Sequence, residues 1–145
     1  GNRNQGFYAN HSAGGNDWFN NTSYNNGVQY DMLASSWDSN GNRTDGVILT
    51  GDKVHRMRNN IGYPNNNRNM QGVNSFNTWD LGLTPSSSDF ESLSDSGFMG
   101  PRNADGSLPN LNFLKLRAGS QMIDRGTNVG LPYSGAAPDQ GAYER

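Results

Sequence analysis

Along the first half of the chain, apolar residues occur in segments of only a few residues, each bounded by Asn or Gly. Two of these segments read GFYAN at 6–10 and GVQYD at 27–31, so they start 21 positions apart (27 − 6). Short apolar segments between Asn and Gly residues are typical of strands joined by tight turns. A repeat of about 20–25 residues predicts that each strand lies beside its counterpart in the next unit of a solenoid. The pattern therefore predicts an all-β chain of stacked coils.

An Asn pair followed by Tyr occurs twice, as FNNTSY at 19–24 and RNNIGY at 58–63, and the copies lie 39 positions apart (58 − 19). Asn tolerates the left-handed backbone conformation of a sharp corner, and its amide can hydrogen-bond the same amide one coil above. We therefore predict a ladder of stacked Asn side chains at an inner corner. The alternative is N-glycosylation, since acceptor patterns begin at Asn20, Asn21 and Asn42. A corner Asn within a ladder cannot carry a glycan, whereas Asn42 could carry one in a eukaryotic secretory setting.

The use of Asn changes near residue 78, because 18 of the 22 Asn residues lie at or before Asn77. We predict that residues 1–77 form the coils and that residues 78–145 form a C-terminal capping segment of the same domain. A segment rich in Ser, Asn, Asp and Gly at about 35–46 is predicted to be a loop inserted between coils. Since the repeat pattern is already present at residue 6, we expect the chain to start inside a longer protein.

The composition excludes several classes of protein. Hydrophobic residues make up 32% of the chain and charged residues 17%, so the low hydrophobic content does not come from the excess of charge typical of disorder. A net charge of −2 gives no general attraction to nucleic acid or to an anionic membrane. Cysteine is absent from the sequence, which excludes disulfides and thiol nucleophiles. No apolar run is long enough to predict a transmembrane helix.

No metal site is predicted in this chain. His11 and His55 lie far apart in the sequence, without acidic residues at ligand spacing. The segment 38–42 starts like a calcium-binding loop, but Arg43 stands where the loop requires Gly and Leu49 stands where it requires a bidentate Glu.

Four residues near the start of the chain form the candidate substrate-binding site, namely Arg3, Tyr8, Asn10 and His11. Arg pairs with carboxylates and Tyr offers a flat apolar face, so this group suits a sugar or uronate polymer. The alternative is that all four are ordinary solvent-facing residues. No catalytic residue is predicted, because neither lysine of the chain lies in a sequence context that suggests a desolvated base.

Several longer stretches resemble polysaccharide lyase family 9, the family of pectate and rhamnogalacturonan lyases. They read GNRNQGFYANH at 1–11, WFNNTSYNN at 18–26 and RNNI at 58–61. The tail is similar to the end of that family as well, with LP at 108–109, FLKL at 113–116, MIDRG at 122–126 and APDQGAYE at 137–144. The stretch FYANH at 7–11 favours the rhamnogalacturonan-cleaving members.

This resemblance implies a right-handed parallel β-helix, of which the chain would be the last rungs followed by an irregular C-terminal cap. It also implies cleavage of uronate-containing pectic polymers by β-elimination, with a lysine as base and with calcium held by aspartates. In the family these groups precede the segment that this chain resembles, and no position here matches them. The chain would therefore keep only one wall of the substrate groove, at Arg3, Tyr8, Asn10 and His11.

The sequence thus supports the C-terminal part of a pectin-degrading lyase, expected to be inactive alone, secreted or held in the periplasm or at the cell surface. Its expected partners are an acidic pectic polysaccharide and either missing N-terminal coils or a second copy bound at the N-terminal face. The alternatives are a non-catalytic carbohydrate-binding or adhesin-type β-solenoid and a purely structural repeat.

Overall fold

The computed structural model describes residues 1–12, 15–47 and 49–145. Its strands are β1 (Gln5–Tyr8), β2 (Asp17–Phe19), β3 (Thr22–Tyr24), β4 (Val28–Asp31), β5 (Ser35–Trp37), β6 (Arg43–Asp45), β7 (Arg56–Arg58), β8 (Ile61–Tyr63) and β9 (Val73–Ser75). Two short 3₁₀ turns cover Gly51–Lys53 and Ser87–Asp89. The regular structure of the described residues is therefore mainly β, as the pattern predicts.

Strands that recur along the chain lie side by side and parallel. In the first layer β1, β2 and β3 follow one another, and they pair with β4, β7 and β8 of the second layer. A third layer continues with β9 beside β7 and with an isolated bridge between Asp31 and Arg68. The chain therefore runs through three parallel sheets in turn and adds a strand to each of them in the second layer.

The Asn ladder is confirmed. Phe19 is in register with Arg58, so the two Asn pairs stand directly one above the other at the predicted spacing of 39. The Asn59 Nδ2 donates to Asn20 Oδ1 at 2.9 Å, and both Asn20 and Asn59 have the positive φ expected at a corner. Asn21 Nδ2 donates to Asn60 Oδ1 at 3.0 Å.

The register of the first two strands lies within the predicted repeat of about 20–25 residues, but it is two residues longer than the distance of 21 between the glycines. Phe7 is paired with Tyr30, which gives a register of 23 (30 − 7). The reason is aromatic packing, since the Phe7 and Tyr30 rings stack with centroids 5.1 Å apart and planes 7° apart. Aligning the two glycines at 6 and 27 instead would break this stack.

The segment at 35–46, predicted as an inserted loop, forms an antiparallel hairpin of β5 and β6. It follows β4 and precedes β7, which is why the register grows from 23 at β1–β4 to 39 at β2–β7.

Residues 78–145 contain few regular elements and pack beside the layers. Their apolar side chains join Ile61 in one buried cluster, with Phe90, Leu114, Leu116 and Met122. The segment also reaches the first layer, because the Ala142 N–H donates to Thr22 Oγ1 at 3.1 Å. The segment 78–145 thus contacts the side of the layers, and it also binds the ladder because Asn59 Nδ2 donates to the Thr127 carbonyl at 2.8 Å. Its role as a cap stays a prediction.

Candidate functional site

The four predicted site residues lie at the two ends of β1. Tyr8 ends that strand, Asn10 and His11 follow it, and Arg3 precedes it. The structure brings Tyr8 and His11 together, with the Tyr8 hydroxyl 2.6 Å from His11 Nε2. Arg3 and Asn10 are exposed, and neither side chain hydrogen-bonds this pair in the part of the chain that the structure describes.

A tight turn sets the position of His11. Asn10 and His11 have φ of 51° and 57°, and the Ser12 N–H donates to the Ala9 carbonyl at 3.0 Å. Two positive φ values between the bonded residues match a type I′ turn, a conformation that Asn and His tolerate better than most residues. The turn folds the His11 ring back onto Tyr8, where the two rings meet edge to face at 5.6 Å.

A third side chain, Asp45 of the hairpin, completes a hydrogen-bonded chain. Its Oδ1 lies 3.0 Å from His11 Nδ1 and accepts from Ser35 Oγ at 2.6 Å. Arg43 pairs with the same carboxylate, with Nε 3.0 Å from Oδ1. The hydrogen bond from Ser35, together with the charges of Arg43 and His11, holds the pKa of Asp45 below its usual value.

A second cluster lies in the neighbouring layers. Asp31 is in register with Tyr8 and is almost fully buried, and Arg68 bridges to it from the third layer. Arg68 donates to Asp31 Oδ2 through Nε at 2.9 Å and Nη2 at 2.8 Å. Gln5 Nε2 and Asn69 Nδ2 donate to the same carboxylate.

These bonds decide the charge of Asp31. Burial alone would raise its pKa, but the hydrogen bonds from Arg68, Asn69 and Gln5 outweigh burial, and the pKa lies below the ordinary 3.8. The Arg68 side chain remains half exposed. The guanidinium of Arg68 is thus fixed in the same column of the sheet as Tyr8, and part of its side chain faces solvent.

An apolar cavity of about 360 Å³ lies between the hairpin and β9, lined mainly by Val47, Leu49, Val54 and Val73. His55 also lines it, and burial lowers the pKa of this imidazole. Its lining does not suit a charged polymer, because few polar groups reach the wall.

Over the residues that are described, no three His, Asp, Glu or Cys side chains are grouped so that they could hold a metal ion. The side chains present in those ranges therefore do not fit the calcium site that the family resemblance implies. The described helices include none that is long and apolar enough to cross a membrane.

The stacked parallel strands define a class, that of all-β proteins built from repeated layers. No protein-family model matches the chain. Pectate lyase L of Dickeya dadantii (strain 3937) and pectate lyase L of Dickeya chrysanthemi are each 38% identical to it over 146 residues. The match covers all of this chain but 31% of each relative, so the chain spans about a third of their length.

Two solved structures are similar as well. Pectate lyase Pel9A matches 99% of the chain with a TM-score of 0.78 and 34% identity, over 33% of its own length. A rhamnogalacturonan lyase matches 79% of the chain with a TM-score of 0.61 and 32% identity, over 28% of its own length. The resemblance recognised in the sequence is confirmed as a similarity: the chain is similar over its whole length to pectate lyases and over most of its length to a rhamnogalacturonan lyase.

Sequence reasoning missed Asp45, Ser35, Arg43 and the Asp31–Arg68 pair. Asp45 lies 34 residues from His11 in sequence, and no repeat spacing connects them. The only sequence signal for these contacts was the polar composition of the hairpin segment. That composition indicated a surface loop, but not that the loop would pack against His11.

Proposed function

We propose that the chain is the C-terminal part of a pectin-degrading polysaccharide lyase, folded as the last rungs of a right-handed parallel β-helix. The observation that carries this proposal is the 38% identity over the whole chain to two pectate lyases. The parallel register of β1–β4, β2–β7 and β3–β8 supports it, since successive rungs of a β-helix pair in this way.

The catalytic lysine and the calcium-binding aspartates are proposed to lie upstream of this chain. Within the chain, Lys53 is exposed in a surface turn, and Lys115 Nζ donates to Asn110 Oδ1. Neither lysine is deeply buried.

The substrate is proposed to be an acidic pectic polymer that contacts Arg3, Tyr8, Asn10 and His11. A guanidinium pairs with a uronate carboxylate, and an aromatic ring packs on the apolar face of a sugar. Arg68 joins this surface, because Asp31 holds it in the column that begins at Tyr8. Such a protein acts outside the cytoplasm, where its polymer is, so secretion or a periplasmic or cell-surface location is part of the proposal.

Upstream rungs are the proposed partner of the edges of β1, β2 and β3. Each of these strands pairs with one other strand in the described part of the structure, which leaves its second edge open. Open edges bind further strands, so we expect the isolated chain to self-associate through this face. Sedimentation velocity over a range of concentrations measures this self-association. A monomer that stays soluble at high concentration would contradict the expectation.

The lyase proposal is tested by the absorbance of unsaturated products. The chain is expressed together with its upstream sequence and incubated with rhamnogalacturonan or polygalacturonate, each with and without calcium. We expect product from at least one polymer, in a calcium-dependent reaction. Binding of both polymers without product would favour the alternative of a carbohydrate-binding β-solenoid.

A further inference from the structure

Tyr8, His11 and Asp45 form a linear hydrogen-bonded chain that ends in a hydroxyl. The Tyr8 hydroxyl lies 2.6 Å from His11 Nε2, and His11 Nδ1 lies 3.0 Å from Asp45 Oδ1. The three side chains come from β1, from the turn after it and from the hairpin. A phenol, an imidazole and a carboxylate in this order can pass a proton along the chain.

The carboxylate determines which imidazole nitrogen carries a hydrogen. Ser35 and Arg43 hold the pKa of Asp45 below its usual value, so Asp45 is ionised and accepts from His11 Nδ1–H. His11 Nε2 therefore faces the Tyr8 oxygen. When Nε2 is protonated it donates to that oxygen, and the phenolic hydrogen of Tyr8 is then available to a ligand.

Tyr8, the first residue of this hydrogen-bonded chain, also borders an open cleft. Tyr8 lines a concavity of about 370 Å³ together with Asp17 and Trp18. Asp17 is engaged by Arg56, with two hydrogen bonds of 2.6 and 2.7 Å, which neutralises its charge. The cleft thus has two aromatic residues in its lining, as expected around a sugar ring.

We propose that Tyr8 is the proton donor to the leaving glycosidic oxygen, with His11 and Asp45 as positioning residues; this inference rests on the proposed lyase function. A primary-amine base, the upstream lysine of the proposed function, removes the proton from C5 of the uronate. The C5–H electron pair forms the C4–C5 double bond, the C4–O4 bond breaks with its electrons on O4, and Tyr8 Oη delivers its proton to O4. The Tyr8 oxygen then regains a proton from His11 Nε2, and solvent restores the imidazole.

The experiment uses the chain together with its upstream sequence and compares Tyr8→Phe with Tyr24→Phe. Tyr24 is the matched control, because its ring stacks on Tyr63 and lies outside the proposed groove. Tyr8→Phe is expected to lower kcat about 100-fold or more and to change KM by less than about threefold, because general acid catalysis contributes in this range. The Tyr24 variant is expected to keep kcat.

Two further experiments distinguish proton donation by Tyr8 from a merely structural role of its side chain. His11→Asn and Asp45→Asn should each lower kcat less than Tyr8→Phe does, and Asp45→Glu should recover part of the loss. A uronide with fluoride at C4 needs less protonation of its leaving group, so Tyr8→Phe should lose little kcat on it. Melting temperatures of all variants show whether a loss of activity reflects loss of fold.

The possible failures are distinguishable. If the unmodified protein yields no unsaturated product from any pectic polymer, the proposed function and this inference both fail. If that protein is active and Tyr8→Phe keeps its kcat, the inference is overturned while the lyase function stands. An equal loss on the fluoride and on the polymer, or a loss explained by a lower melting temperature, would also overturn it.

Discussion

Replacing Asn60 by Ala is expected to lower the free energy of unfolding by about 4 kcal/mol, because several buried hydrogen bonds are lost at once. The Asn60 side chain is fully buried in the middle of the ladder. Its Nδ2 donates to the Trp18 carbonyl and to Asn77 Oδ1, both at 2.7 Å. Its Oδ1 accepts from the backbone N–H and from the side chain of Asn21, both at 3.0 Å.

The loss leaves the partly buried Trp18 carbonyl and Asn21 N–H short of a partner, and a buried group without its partner costs about 1–3 kcal/mol. Asn40→Ala is the matched control, since Asn40 is exposed in the hairpin and the same change there is expected to cost less than about 0.5 kcal/mol. Urea denaturation monitored by circular dichroism measures the free energy of unfolding of both variants. Equal stability of the two variants would contradict the ladder as a source of stability.

Replacing Asp31 by Asn is expected to cost about 2 kcal/mol at neutral pH, because an ionised acceptor of four hydrogen bonds becomes an amide. Those bonds come from Arg68, Asn69 and Gln5. The new NH₂ group points a donor at side chains that also donate.

The cost is expected to depend on pH. Because the pKa of Asp31 lies below 3.8 in the folded chain, the unfolded chain binds the proton first as the pH falls. The stability due to the carboxylate is therefore complete above about pH 5 and is lost as the pH falls through the folded pKa. The difference in unfolding free energy between the unmodified chain and Asp31→Asn should shrink over this range.

Asp52→Asn is the control for this comparison, since Asp52 is exposed in the turn Gly51–Lys53. Its difference from the unmodified chain should stay within about 0.5 kcal/mol at every pH. Unfolding free energies at pH 7, 5 and 3 provide the measurement. A difference for Asp31→Asn that is constant with pH would show that its carboxylate does not supply this stability.

The Asn ladder could be predicted because the same residues recur in the same context, so Asn20 and Asn59 occupy equivalent corners. The third step of the ladder could not be predicted. Asn77 continues the ladder, but Phe76 stands where the earlier corners have Asn, and the spacing shortens to 17 (76 − 59). Periodicity detects a repeat only while both its spacing and its residues persist.

The candidate site shows the same limit. Tyr8 and His11 could be paired from sequence because they lie three positions apart at the end of one predicted strand. The roles of Asp45 and Arg68 could not be predicted. Each contacts a partner more than 30 residues away in sequence, Asp45 through packing of the hairpin and Arg68 through packing of the third layer. Such contacts follow from tertiary structure, which local patterns do not encode.

The family resemblance supplied what periodicity did not, namely a chemical class for the ligand proposed to bind this surface. The contacts of individual side chains then indicate what each one does. The ladder residues stabilise the stack, and the hairpin orients His11 beside Tyr8. The substrate-binding roles of Arg3, Tyr8, Asn10 and His11 remain predictions.

The most direct test of the central claim compares the 145-residue chain with the same chain joined to its upstream sequence. Both are incubated with rhamnogalacturonan and with polygalacturonate, and the absorbance of the unsaturated uronate is followed. The proposal that this chain is one wall of a lyase groove predicts turnover by the longer protein and none by the 145-residue chain. Robust turnover by the shorter chain, or none by either, would contradict it.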